Sequence, residues 1–105
     1  KRIEDARGFG LVDVDAGGIR SFAEKPQEKI PGFVNCGWYV LHPNIFEGMA
    51  ADTFMLEREV FPVLAQRGML KAHIHEKHWL PVGTEDVLMR AEREYATGIV
   101  TDDFL

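Results

Sequence analysis

Residues 10–26 read Gly10-Leu11-Val12-Asp13-Val14-Asp15-Ala16-Gly17-Gly18-Ile19-Arg20-Ser21-Phe22-Ala23-Glu24-Lys25-Pro26. Gly10 to Asp15 predicts one strand and Ile19 to Glu24 a second. Between them Ala16-Gly17-Gly18 holds a glycine pair that accepts positive φ at low cost, so the stretch reads as a hairpin. Just beyond it Pro26, Pro31 and Gly32 stand among charged residues. They remove ladder donors and exclude helix, which makes 25–32 a loop leading into the next strand.

Reading onward, Asn35 to Leu41 is apolar and aromatic, with Trp38, Tyr39 and Val40, and predicts a central strand buried on both faces. Pro43 can open a short helix through Met49, which Gly48 helps to end. Leu56, Val60, Val63 and Leu64 recur at helical spacing, with Arg67 and Gly68 as a cationic last turn and a left-handed cap; Pro62 must kink or split this helix. Met69 to Glu76 alternates Leu70, Ala72 and Ile74 with Lys71, His73 and His75, the period of a half-exposed strand. Trp79 to Val82 predicts a short strand. Thr84 then supplies a hydroxyl cap, with Glu85 and Asp86 in the first turn of a helix that buries Val87, Leu88, Ala91 and Tyr95. The order is strand, strand, strand, helix, helix, strand, strand, helix without internal repeat, an α/β or α+β layer.

The bulk properties narrow the classes. A chain of 105 residues with 46% hydrophobic composition buries one modest core and predicts one compact unit. A net charge of -5, with both signs interspersed and no basic stripe, argues against nucleic acid as a partner. No stretch approaches the roughly 18 apolar residues of a membrane span, so no membrane partner is expected. Cys36, the lone cysteine, cannot form an intrachain disulfide, and a cytoplasmic location is the simplest reading. The charged start at Lys1 and the acidic-apolar end at Thr101 to Leu105 suggest a segment of something longer.

Three signatures occur in order: Phe22-Ala23-Glu24-Lys25-Pro26, Asn35-Cys36-Gly37-Trp38-Tyr39-Val40 and Trp79-Leu80-Pro81-Val82-Gly83-Thr84-Glu85-Asp86. Together they resemble the sugar-1-phosphate nucleotidyltransferases, a family that includes mannose-1-phosphate guanylyltransferases and glucose-1-phosphate thymidylyl- and cytidylyltransferases. The resemblance runs from about Phe9 to Tyr95, and Leu56-Glu57-Arg58-Glu59-Val60-Phe61-Pro62 is similar to the family's leucine-glutamate to phenylalanine-proline helix. It implies an α/β fold, part of a Rossmann-like sandwich with a mixed sheet and flanking helices. Residues 1–105 would form its sugar-phosphate-binding C-terminal portion, with the nucleotide-binding portion and its glycine-rich loop preceding them. The implied partners are a sugar 1-phosphate and a nucleoside triphosphate.

The resemblance also implies roles. Lys25 would contact the sugar's phosphate and Glu24 would accept from sugar hydroxyls, in keeping with an ammonium as a point charge and a carboxylate as an acceptor. Gly10 would let backbone approach the sugar, and Asn35 and Gly37 would line the same pocket. Each has a second reading. Glu24 and Lys25 also fit solvated charges at a hairpin end, Asn35 a side chain bonding nearby backbone, and Gly10 and Gly37 a bulge or tight packing. No catalytic residue and no metal ligand is expected within this segment.

The chain departs from the pattern at Pro81 and Gly83, the two positions where relatives place a carboxylate that helps hold Mg²⁺. Neither side chain offers an oxygen, and Glu85 and Asp86 read better as first-turn helix acids. His73, His75 and His78 invite a metal but lack an evident carboxylate or thiolate to complete the shell, and read as the wet face of a strand. Cys36 in an apolar run reads as packing. Three functions follow: an enzyme part, a binding or regulatory homologue that has lost metal-dependent catalysis, and a self-associating fragment that forms a homo-oligomer.

Overall fold

The computed structural model describes residues 1–23, 25–49 and 53–99. Where one compact unit was expected, the chain divides into two, one from Lys1 to Ile74 and one beginning at His75. The buried apolar side chains among the described residues (Ala6, Val34, Val60, Phe61, Leu64 and Ala65) all lie in the first unit. That small core is the physical reason a single one does not span the chain.

In the first unit, β1 (Arg2–Ile3) pairs antiparallel with β4 (Gly32–Phe33), and β2 (Leu11–Asp15) with β3 (Gly18–Ala23). A bridge between Leu11 and Val34 joins the two ribbons, giving the order β1-β4-β2-β3. All these pairings are antiparallel. Asp13 faces Ser21 and Val14 faces Ile19, so Arg20 is an extra residue on β3, a bulge whose side chain forms an ion pair with Asp15. The expected strand over Met69 to Glu76 is reduced to a bridge from Lys71 to Gly18, flanked by Ile19 N–H to Leu70 C=O at 3.0 Å and Ala72 N–H to Gly17 C=O at 2.8 Å.

The segment Asn35 to Leu41 corrects the sequence expectation most. No described strand pairs with it, so it lies outside any ladder and bends at Gly37. Its alternation survives on one side only. Tyr39 and Leu41 turn toward Phe61 and the core, whereas Trp38 and Val40 are 88% and 103% exposed. A central strand is made by neighbours on both sides, and a run of apolar residues cannot supply them.

The helical part follows the local signals. Pro43–Phe46 is a 3₁₀ turn in which the His42 ring accepts the Asn44 N–H, and Gly48 has φ 78° just past it. Pro62, which has no N–H to donate, divides the next segment into a wide π turn at Leu56–Val60 and α1 at Phe61–Gln66. Arg67 caps α1. Gly68, at φ 69°, gives its N–H to Ala65 C=O at 2.9 Å, and Met69 gives its own to Leu64 C=O at 2.9 Å, a Schellman ending.

In the second unit Trp79 to Val82 is not a strand, and α2 spans Glu85–Ala96. Thr84 occupies the cap position with extended backbone but makes no side-chain cap bond, so only the two acids of the expected start are in place. Val87 and Ala91 are half-buried, while Leu88 and Tyr95 are exposed, against expectation. Gly98, at φ 72°, ends α2 in a second Schellman arrangement, with Gly98 N–H to Tyr95 C=O at 3.1 Å and Ile99 N–H to Glu94 C=O at 3.0 Å. No helix among the described residues is long and apolar enough to cross a membrane.

The hairpin turn gives a direct test. Ala16 and Gly17 have φ 48° and 80°, the pair of positive angles of a type I′ turn, and Ala16 carries a Cβ into that region. Gly17→Ala is expected to cost roughly 1–2 kcal/mol and Ala16→Asn to add about 0.5 kcal/mol, read by urea denaturation.

Candidate functional site

The register of the sheet decides where the expected site residues lie. Ala23 of β3 pairs with Leu11 of β2, and Leu11 bridges Val34 beyond β4, so these three residues form one rung. In antiparallel pairing, the position before Leu11 and the positions after Ala23 and Val34 all lie past the same end of that rung. Gly10, Lys25 and Asn35 are therefore brought to one end of the sheet, although 25 residues separate the first from the last. Glu24 lies outside the described residues.

Lys25 is exposed and Gly10 half-buried. A Cβ built at Gly10 would meet nothing nearer than the Ala23 carbonyl oxygen at 3.8 Å, an ordinary contact. The packing of this chain does not require glycine there. Gly37 differs, because its φ of 78° is a left-handed conformation that explains glycine on backbone grounds alone.

Asn35 is held by its neighbours. Its Oδ1 accepts the Gly37 N–H at 2.8 Å, and its Nδ2 donates to Tyr39 Oη at 2.6 Å. Tyr39 Oη in turn donates to Glu57 Oε1 at 3.1 Å. The second reading of Asn35, a side chain bonding nearby backbone, is thus present, and it coexists with a place at the shared end of the sheet. Burial raises the Tyr39 pKa above the usual phenol value. The Asn35 bond opposes this and Glu57 reinforces it, so the hydroxyl keeps its proton.

What unites these segments is Phe61, 2% exposed at the start of α1. Phe22 stacks on it with centroids 5.8 Å apart, and Tyr39 meets it edge-on at 4.8 Å. The motif that carries Lys25, the motif that carries Asn35 and the segment that carries Glu57 are anchored on one ring. Sequence reading named all three segments but not their joining; an aromatic residue in each was the signal. An open groove of about 390 Å³ is lined by Leu11, Val14, Ala23, Gly32 and Phe33 among others, and none of the expected site residues lines it.

The second unit holds Pro81, Gly83, Glu85 and Asp86, all exposed. Pro81 and Gly83 have no side-chain oxygen, and among the described residues no three His, Cys, Asp or Glu side chains gather as a metal site. Of the histidines, His75 Nε2 lies 3.0 Å from His78 C=O, and His78 Nε2 lies 2.9 Å from Glu94 Oε2. The latter distance suits a hydrogen bond but the alignment does not, so the contact is one of charge when His78 is protonated. Arg90 Nε donates to Glu94 Oε1 at 2.6 Å and, with a smaller charge contribution from His78, lowers the Glu94 pKa against the opposing effect of desolvation.

The pattern of the family described as nucleotidyl transferase matches residues 1–98. Glucose-1-phosphate cytidylyltransferase of Salmonella typhi is 38% identical over 76 residues, 72% of this chain and 29% of that protein. Mannose-1-phosphate guanyltransferase beta-B of Xenopus laevis is 31% identical over 84 residues, 78% of this chain and 23% of that protein. The catalytic subunit beta of mannose-1-phosphate guanylyltransferase from Drosophila melanogaster is 31% identical over 83 residues, 78% of this chain and 22% of that protein. The chain thus spans less than a third of the length of these curated relatives.

Two outcomes follow from this geometry. Phe61→Ala is expected to cost about 3–5 kcal/mol in urea denaturation, because it leaves a cavity under both the Phe22 and Tyr39 segments. Because the Glu94 pKa is lowered by folding, its contribution is present above the ordinary glutamate value of 4.5 and fades as the pH falls through the folded value. Glu94→Gln should therefore flatten the acid limb of a thermal-unfolding series over that range.

Proposed function

The chain belongs to the nucleotidyl transferase family, and on that premise we propose that it supplies the sugar-phosphate side of an enzyme that joins a nucleoside triphosphate to a sugar 1-phosphate. One observation carries this reading within the family: a single rung of the sheet, Ala23–Leu11–Val34, brings Gly10, Lys25 and Asn35 to the same end.

In this proposal the phosphate of the sugar 1-phosphate is the nucleophile. One of its oxygens bonds to the α-phosphorus of the triphosphate, the bond from that phosphorus to the bridging α–β oxygen breaks, and pyrophosphate leaves with the electron pair. No protein nucleophile is required. The difficulty is bringing two anions together, and the Lys25 ammonium reduces their repulsion by pairing with the sugar's phosphate. Glu24 accepts from sugar hydroxyls, Gly10 leaves room for the sugar against backbone, and Asn35 and Gly37 close the pocket. The nucleotide-binding portion belongs to sequence that precedes the three motifs in the family, where a Rossmann-like sandwich would be completed and any Mg²⁺ donors would lie. A cytoplasmic location accords with this chemistry.

A second reading has its own observation. Pro81 and Gly83 stand where relatives place the metal carboxylate, which supports a homologue that binds a nucleotide sugar without turnover. Pyrophosphate release by the intact protein, measured over a panel of sugar 1-phosphates and nucleoside triphosphates, separates the two. The enzyme reading expects turnover, with Lys25→Ala raising KM for the sugar 1-phosphate by about tenfold or more, as loss of a charged hydrogen bond does. Nucleotide-sugar binding without pyrophosphate release would replace it with the second.

A further inference from the structure

Resting on the reading that Asn35 lines the sugar-phosphate pocket, we infer that Glu57 is a positioning residue that sets the hydrogen-bond polarity of that pocket, making Asn35 a donor to an oxygen of the sugar 1-phosphate. The observation is a directed chain of three hydrogen bonds. Gly37 N–H donates to Asn35 Oδ1 at 2.8 Å, Asn35 Nδ2 donates to Tyr39 Oη at 2.6 Å, and Tyr39 Oη donates to Glu57 Oε1 at 3.1 Å.

Both ends of the chain are fixed by chemistry. A backbone N–H can only donate, and an ionised carboxylate can only accept. With Glu57 taking the single hydroxyl proton of Tyr39, the phenol oxygen has only acceptor capacity left for Asn35. With the Gly37 N–H occupying Oδ1, the amide group must turn its nitrogen toward Tyr39. Asn35 Oδ1 and Nδ2 are therefore assigned from two independent directions, and the amide cannot flip without breaking two bonds. The Gly37 N–H reaches Oδ1 from two residues further on, the spacing of an Asx turn.

One hydrogen of Nδ2 is used by Tyr39, and the other has no partner among the described residues. The Asn35 amide thus keeps one N–H to donate, while its Oδ1 already serves the Gly37 N–H. The ligand atom it suits is an oxygen acceptor, a phosphate oxygen or a sugar hydroxyl accepting through its lone pair. Glu57 reaches this site from 18 residues beyond Tyr39 in the chain, and Tyr39 is carried by the contact with Phe61. Neither Glu57 nor Tyr39 needs to touch the ligand for its loss to be felt.

The test inverts the polarity. Asn35→Asp puts a second acceptor-only group on Tyr39, whose one proton cannot serve both carboxylates, and is expected to lower Tm and raise KM for the sugar 1-phosphate about tenfold or more. Adding Glu57→Gln supplies an N–H at the far end, so Tyr39 can accept from Gln and donate to Asp. The double variant should regain most of the lost Tm while KM stays raised, because the pocket still presents an acceptor. Tyr39→Phe should raise KM for the sugar 1-phosphate about fivefold to tenfold with KM for the nucleoside triphosphate unchanged.

All assays use the intact protein, with pyrophosphate release and thermal unfolding as readouts. Additive losses of Tm in the double variant would overturn the inference. So would an unchanged KM in Asn35→Asp alongside a raised KM in Lys25→Ala, which leaves the proposed function standing. If neither Asn35→Asp nor Lys25→Ala alters KM for the sugar 1-phosphate, the pocket reading fails and the inference with it.

Discussion

Phe61 is the contact on which the arrangement of the first unit depends. Its ring is 2% exposed and receives Phe22 from the hairpin and Tyr39 from the extended segment. Aromatic pairs of this kind add about 0.5–1.5 kcal/mol each beyond the area they bury. More important here is what they locate. Phe22 lies three residues before Lys25, Tyr39 four after Asn35 and Phe61 four after Glu57, so one ring anchors the three segments that carry these polar groups. With few other buried side chains, the unit has no large core to share that task.

The features legible in the sequence are those decided within a few residues. The hairpin was legible because the Gly17-Gly18 pair accepts positive φ and because apolar residues resume on each side, although the turn takes its positive angles at Ala16 and Gly17. The division at Pro62 was legible because a missing N–H is a local fact, and the end of α1 because Gly68 accepts a left-handed angle. Asn35 to Leu41 was misread because apolar composition states how much surface a segment can bury, not whether strands flank it. Thr84 was half legible: composition places it at the cap, but the bond depends on a rotamer. Gly98 was overlooked although Ala96-Thr97-Gly98 carries the same ending signal as Arg67-Gly68.

For the candidate site, the motifs pointed to Gly10, Lys25 and Asn35, and the register brings these positions to one end of the sheet. Lys25 and Asn35 are ten positions apart, yet the Ala23–Leu11–Val34 rung makes them neighbours in direction. A rung is a property of pairing and cannot be read from either strand alone. The structure also sorts the glycines. Gly37 is accounted for by its φ, whereas Gly10 has an ordinary backbone angle and room for a Cβ. Gly10 lies where the sugar is proposed to approach.

The polar chain from Gly37 to Glu57 shows how such a site can have direction without being deeply buried. Tyr39 is 38% exposed, so the value of the chain does not come from removing charge from water. It comes from exclusion: each group has its role assigned by a partner that can do only one thing. An amide alone would offer a ligand either of its two faces, and rotating it costs little. Bound between a donor-only backbone N–H and, through Tyr39, an acceptor-only carboxylate, it offers one. The same logic explains why the aromatic cluster and the polar chain share Tyr39. The ring needs a fixed place before its hydroxyl can have a fixed direction, and Phe61 supplies the first so that Glu57 can supply the second.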